Sequence, residues 1–297
     1  MTTENTIAAW AAKGKYAEIY KNNVFYIENK SEKPTIAFLH GYPSASFDYY
    51  KALPFIGKEF SYILHDHLGF GLSDKPLDYS YSLIEQAEVA MALWQQLGLT
   101  EIHLVAHDYG TSVANEIMVR RMRGFEPVKI KSVTFCNGSM HVELAQMKVI
   151  QKLLKHPFWG KYVAALSSES LFVNTMRDIW FDKTLFDPVE IKMLYTVLMS
   201  NGGRQVFHKV SQYNNERVKY WHRWIGNLPH IDIPTHILWA QQDLIAVKAI
   251  AELLHTEMPH SVYTKIENCG HYPMLEQPEL WATLLIGFIR KIDTPSV

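Results

Sequence analysis

The sequence predicts an α/β protein, a mostly parallel sheet covered by helices, and three observations carry that prediction. Short apolar runs rich in β-branched and aromatic residues recur at 24–27, 35–39, 61–64, 102–106, 130–135, 235–239 and 262–266. Longer stretches with helical spacing alternate with most of them, at 83–97, 112–122, 247–257 and 279–289, which is the alternation that builds a buried parallel sheet. The chain has 297 residues and is 48% hydrophobic, enough for one large α/β unit carrying an insertion.

The first residues, Met1 to Tyr16, contain no uninterrupted apolar core behind a basic start. No signal peptide or lipidation motif is legible there, and the mature protein is expected to begin near Met1. The run 35–39 leads into His40-Gly41-Tyr42-Pro43-Ser44. A backbone N–H just past a strand end can serve an oxyanion hole, and Tyr42 is the donor expected here. The run 61–64 leads into a loop from Asp66 to Pro76 with Gly69 and Gly71, where Asp66 and Asp74 are expected to have structural roles.

The central signal is Ile102-His103-Leu104-Val105-Ala106-His107-Asp108-Tyr109-Gly110, a strand that ends in a tight turn and opens a helix. This is the pattern of a nucleophile elbow, in which small residues, here Ala106 and Gly110, allow the turn. The middle residue is then projected at a helix N-terminus, where backbone N–H groups favour an anion. Here that residue is Asp108, and Tyr109 supplies a second candidate N–H donor. Serine is usual at the centre and glycine at the first small position, so Asp108 and Ala106 both depart from the common form. A serine alkoxide suits acyl carbons, whereas a carboxylate can displace at a saturated carbon and leave an alkyl ester that water must cleave. An aspartate that merely caps a helix is the plain alternative.

From about 138 to 227 the alternation fails, and the sequence reads as helical and aromatic, with Trp159, Trp180, Trp221 and Trp224. This stretch is assigned to a helical lid over an apolar pocket. The expected organisation is a core over residues 1–137, the lid over 138–227 and the rest of the core over 228–297. Past the run 235–239 comes Asp243, and past 262–266 comes Asn268-Cys269-Gly270-His271-Tyr272-Pro273. The order nucleophile, acid, histidine makes His271 the expected general base and Asp243 the carboxylate that orients it. The place after the preceding strand, where an acid could also sit, holds Asn137.

Lys plus Arg (29) nearly balances Asp plus Glu (30), so no strong net field recruits nucleic acid or an anionic surface. The expected partners are a small, apolar, electrophilic substrate and water. Cys136 and Cys269 are too few for a disulfide framework and are not spaced as zinc ligands. No run approaches the roughly 20 apolar residues of a membrane span, and a cytoplasmic protein is expected.

With these residues in view, the chain resembles the epoxide hydrolase and haloalkane dehalogenase branch of α/β-hydrolases, and within it the mesoderm-specific transcript family. Beyond the catalytic motifs, the likeness includes Lys131-Ser132-Val133 through Asn137-Gly138, Gln151-Lys152-Leu153-Leu154-Lys155 and Arg223-Trp224-Ile225-Gly226. It implies an α/β-hydrolase fold with the lid inserted after the sixth strand and no metal or organic cofactor. The implied activity is hydrolysis of an epoxide to a vicinal diol through an ester on Asp108. Haloalkane dehalogenases usually carry Trp after the nucleophile and Asn after the His-Gly pair to hold the halide. Tyr109 and Tyr42 stand there instead, which weakens that alternative. A β-lactone substrate for the same triad and a ligand-binding relative are the other readings. The resemblance also implies lid tyrosines that hydrogen-bond an epoxide oxygen. Tyr213 sits in a similar context, although plain lid packing suits it equally, and Tyr162 and Tyr195 are motif-free candidates for a second, of which Tyr162 is carried forward. Basic lid residues Arg217, Lys219 and Arg223 read as a solvated surface, with a protein or membrane contact as the alternative.

Overall fold

The computed structural model describes residues 3–294. Its sheet has eight strands: β1 (Lys15–Ile19), β2 (Asn22–Asn29), β3 (Thr35–Leu39), β4 (Ser61–His65), β5 (Glu101–His107), β6 (Lys129–Cys136), β7 (Thr235–Ala240) and β8 (Val262–Ile266). Their order is β1-β2-β4-β3-β5-β6-β7-β8. The β1–β2 and β2–β4 pairs are antiparallel, and every pair from β4 through β8 is parallel.

The period-two alternation of side chains along each strand divides the core. Ala37, Leu39, Leu104, Ala106, Ile237 and Trp239 join one cluster with the helices Leu83–Gln96, Tyr109–Met122 and Lys248–Glu257. Ile36, Phe38, Val105, Leu238 and Ala240 face the other way, packing with Trp281 and Leu285 of the helix Pro278–Asp293. Both faces are covered, so β7 is buried along its whole length. Each fully buried large apolar side chain contributes about 1.5–3 kcal/mol.

Two elements escape the sequence reading. Strand β1 reads Lys-Tyr-Ala-Glu-Ile and buries only Ala17 and Ile19, so its polar edge face hides the pattern. The helix Thr3–Ala11 is held through Trp10, which packs edge-on to Phe47 with ring centroids 5.1 Å apart. Both are set by tertiary contacts rather than by local periodicity.

Between β6 and β7 lie only helices and turns, among them Val149–Leu154, Gly160–Ala165, Glu169–Asp178, Pro188–Met199, Gly203–Val210 and Tyr213–Lys219. In the register of the parallel strands, Leu39 pairs with Ala106 and Ala106 with Phe135. The C-terminal ends of β3, β5 and β6 therefore stop together, the edge at which open parallel sheets place ligands. The helical segment bonds to the core near that edge: Tyr42 Oη and Ser211 Oγ are 2.8 Å apart, and the His271 N–H donates to Ile179 O at 3.1 Å. Among the described residues, no helix is long and apolar enough to cross a membrane.

Candidate active site

The turn after β5 places Asp108 at φ 42° and ψ −106°, immediately before the helix Tyr109–Met122. A non-glycine residue in such backbone costs on the order of 1–3 kcal/mol and persists only when its surroundings hold it. Here the Asp108 N–H donates to Cys136 O at 3.1 Å. The Asp108 carbonyl accepts from Thr111 N at 3.1 Å, Thr111 Oγ1 at 2.6 Å and Arg217 Nη2 at 3.2 Å. Gly110 is required by contact, because a Cβ there would lie 2.5 Å from Leu39 O. Gly41 is required likewise, since its Cβ would come within 2.8 Å of His107 Nδ1 and 3.1 Å of Asp108 Cβ.

The buried Asp108 carboxylate has two unlike oxygens. Oδ2 accepts the Tyr42 N–H at 2.9 Å, whereas Oδ1 lies 4.0 Å from His271 Nε2. On its other side the imidazole is bound through Nδ1 to Asp243 Oδ2 at 2.7 Å. Tyr109, the first residue of its helix, has an N–H with no intrahelical carbonyl to reach, so it is free to face an incoming oxygen. The structure thus brings Asp108, Asp243, His271, Tyr42 and Tyr109 together.

Asp243 is itself held by the N–H groups of Ile245 (2.7 Å) and Ala246 (3.1 Å) and by Asn137 Nδ2 at 2.8 Å. Asn137, which stands where an alternative acid could sit, therefore fixes the carboxylate of Asp243. Burial works to lower the His271 imidazolium pKa. The charge and hydrogen bond of Asp243 and the charges of Asp108 and Asp48 outweigh it, and the group stands at about 9. The imidazole loop is clamped to the helical segment: Glu276 Oε1 accepts the Gly270 N–H at 3.0 Å and Oε2 the Phe181 N–H at 3.0 Å.

Several of these contacts had no usable sequence signal. Asp48 is fully buried beneath the turn after β3, accepting from Ser44 Oγ at 2.5 Å. Burial, offset by Ser44, pushes its carboxyl up to about 8. His107 donates from Nε2 to the His271 carbonyl at 2.8 Å, and burial holds its ring down at about 4, so it is neutral. Its place beside Asp108 in the elbow was the one available hint.

The lid residues divide. Tyr213 is buried with its ring 5.1 Å from that of Tyr42 and 5.0 Å from that of Tyr109. Burial and then the Asp108 charge raise its phenol, so it keeps its proton. Tyr162 is half-exposed among Phe158 and Trp159, and the structure does not bring it to this site. Tyr195 is occupied with Ser167 O at 2.8 Å and Arg204 at 2.9 Å. Two of the supposed surface cations bind residues of the core, one of them from a buried position. Arg217 is buried, donating to Ser112 Oγ at 2.7 Å with its guanidinium 4.6 Å over the Tyr213 ring. Arg223 donates to both oxygens of the buried Glu116, at 2.6 and 2.7 Å, and so ties the helical segment to the core.

His271, Tyr42, Ile179, Phe207, Ile245 and Leu154 border a narrow cavity of about 60 Å³ that is apolar on most of its wall. Such a wall suits an apolar molecule.

A strand–elbow–helix with its carboxylate, histidine and acid at one sheet edge agrees with the match of residues 34–278 to the alpha/beta hydrolase fold family. This chain belongs to the α/β-hydrolase fold family. Within that family, it is 30% identical to the mesoderm-specific transcript protein of Mus musculus, over 95% of this chain and 87% of that one. It is 29% identical to the putative hydrolase LipZ of Mycobacterium tuberculosis, over 97% and 99%. Among solved structures, the haloalkane dehalogenase DbeA of Bradyrhizobium elkani superposes with a TM-score of 0.79 at 20% identity, over 94% of this α/β-hydrolase and 98% of that chain. The epoxide hydrolase CorEH does so with 0.77 at 16% identity, over 94% and 99%. The relatives bear out the expected kinship with mesoderm-specific transcript proteins, and the superpositions bear out the fold.

Proposed function

We propose that this α/β-hydrolase opens an epoxide by attack of Asp108 and hydrolyses the resulting ester, releasing a vicinal diol. The observation that carries this reading is the asymmetry of the Asp108 carboxylate. One oxygen is fixed by the Tyr42 N–H, and the other faces His271 Nε2 across a 4.0 Å gap.

In the first step Asp108 Oδ1 forms a bond to an epoxide carbon as that carbon's bond to oxygen breaks. The oxygen leaves as an alkoxide and takes the proton of the Tyr213 phenol. Ester formation removes the Asp108 charge, one of the charges that raise His271. The imidazolium then loses its proton more readily and becomes a base when one is needed. In the second step neutral His271 takes a proton from water, and the hydroxide attacks the ester carbonyl carbon. The Tyr42 and Tyr109 N–H groups hold the oxyanion. Collapse expels the diol oxygen, which receives the proton from His271, and leaves Asp108 as a carboxylic acid. Its proton passes through solvent to the Tyr213 phenolate, and His271, again beside a carboxylate, regains from solvent the proton it released. Asp243, fixed by Asn137 and two backbone N–H groups, keeps the imidazole aimed throughout. Residues 138–227 serve as the lid that excludes bulk water.

Removing the base should stop the cycle at the ester. His271→Ala is incubated with separate panels of epoxides, haloalkanes and β-lactones, and intact mass with peptide mapping is read. A mass gain of one whole epoxide on Asp108 is the expected result. An alkyl gain without halide would assign dehalogenation, a gain of one whole lactone would assign lactone opening, and an adduct on another residue would remove Asp108 from its role.

A further inference from the structure

The helical segment carries an apolar surface that nothing in the fold covers. Val149 and Leu153 are four residues apart on one helix face, with Val149 71% exposed. Phe158, Trp159 and Tyr162 are each about half exposed and touch one another, with ring centroids between 4.8 and 6.1 Å. Leu166, one turn beyond Tyr162, is 83% exposed. Single exposed apolar residues are ordinary, but six within eighteen residues mark an interaction site.

The charge around the patch is one-sided. Between Glu143 and Glu169 the sequence contains no Asp or Glu, yet it contains Lys148, Lys152, Lys155, His156 and Lys161. No described ion pair engages any of these four lysines. The chain as a whole carries a net charge of −1, so this basicity is local. Protein–protein interfaces are depleted in lysine at their centres, whereas mixed Trp, Tyr, Phe and Lys suit the headgroup level of a bilayer. There aromatic rings and lysine stems enter apolar surroundings while the ammonium groups meet lipid phosphates. The same segment also walls the cavity that His271 borders, through Lys148, Ile150 and Leu154.

We propose that the patch formed by Val149, Leu153, Phe158, Trp159, Tyr162 and Leu166, with its lysine rim, docks the protein peripherally on an anionic lipid surface. Docked in this way, the cavity wall lies against the bilayer, and an apolar substrate passes into the site from lipid rather than from water. The inference is independent of which electrophile Asp108 attacks.

The test is flotation of the full chain with vesicles of phosphatidylcholine alone and with about 30 mol % phosphatidylserine, where each lysine near the surface strengthens binding roughly fivefold. Binding to the anionic vesicles, released at high salt, is expected. Lys152→Glu with Lys155→Glu and Lys161→Glu should weaken it by at least about a hundredfold. Phe158→Ser with Trp159→Ser should weaken it at all salt concentrations. Lys219→Glu, outside the patch, should bind as the parent chain does, and unchanged melting temperatures would show that every variant folds. The proposal is overturned if neither vesicle is bound or if the patch variants bind like the parent. It is also overturned if sedimentation shows the patch closing a dimer that Phe158→Ser dissolves, because the surface would then belong to a second copy of the chain.

Discussion

Asp108 Oδ1 and His271 Nε2 stand 4.0 Å apart, too far for a hydrogen bond and close enough for the carboxylate charge to help raise the imidazolium. Nδ1 of the same ring is bonded to Asp243 at 2.7 Å, so the free nitrogen has only one direction to point. The gap leaves Nε2 without a hydrogen-bond partner on the side facing Asp108.

That pair, with its neighbours, predicts how stability varies with pH. The folded pKa of His271, about 9, lies above its ordinary value of 6.5, so its contribution is complete below pH 6.5 and is lost as pH rises through 9. Asp48, raised to about 8 by burial, likewise loses its contribution as pH rises through 8. The buried His40, His65 and His107 stand at about 4, 3 and 4, lowered by burial, so they penalise the fold as pH falls below 6.5. Stability to urea should therefore peak near about pH 6.5. His271→Gln should flatten the alkaline limb, and an alkaline limb unchanged in that variant would contradict the assignment.

Asp243→Asn keeps the shape of the site and removes the charge that holds the imidazole's tautomer. Turnover should fall by roughly 10³–10⁴, as expected when an orienting acid loses its charge. Asn137→Ala removes the 2.8 Å bond to the same carboxylate and should cost about 1–3 kcal/mol in stability with a smaller loss of rate. Equal rate losses in the two variants would argue that Asp243 acts only structurally.

Tyr213→Phe preserves the ring contacts with Tyr42 and Tyr109 and removes one hydroxyl. Ester formation from an epoxide should slow by about 10²–10⁴, with ester hydrolysis unaffected. Single-turnover measurement of the two steps separates them, and a slower second step alone would assign the phenol elsewhere.

Arg223→Ala would leave the buried Glu116 with Arg120 and Trp224 as its remaining partners. Because the arginine is partly exposed, a loss of about 1–2 kcal/mol is expected rather than the full cost of a buried pair. Guanidinium unfolding would measure it. Limited proteolysis should cut within 138–227 sooner than in the parent chain, and an unaltered cutting pattern would show that this anchor does not hold the helical segment.

What was legible in the sequence was local or ordered along the chain. Residues 102–110 had to make a strand and a tight turn because β-branched and small residues at that spacing permit little else. His271 could be placed because it follows the last apolar run. The edge strand Lys15–Ile19 was missed because its exposed side is polar and a single buried pair, Ala17 and Ile19, makes no pattern. Tertiary structure alone decided which side chains converge across long separations. Tyr213 reaches Tyr42 and Tyr109 while Tyr162 turns outward, although both are aromatic residues on short helices between β6 and β7. Arg217 leaves the expected basic surface to meet Ser112, 105 residues earlier, and Asn137 supports Asp243, 106 residues later. Asp48 is held near neutrality by burial, which no window of sequence displays. Backbone sterics act over a few residues and can be read from them, whereas burial and through-space charge depend on what the rest of the chain packs alongside.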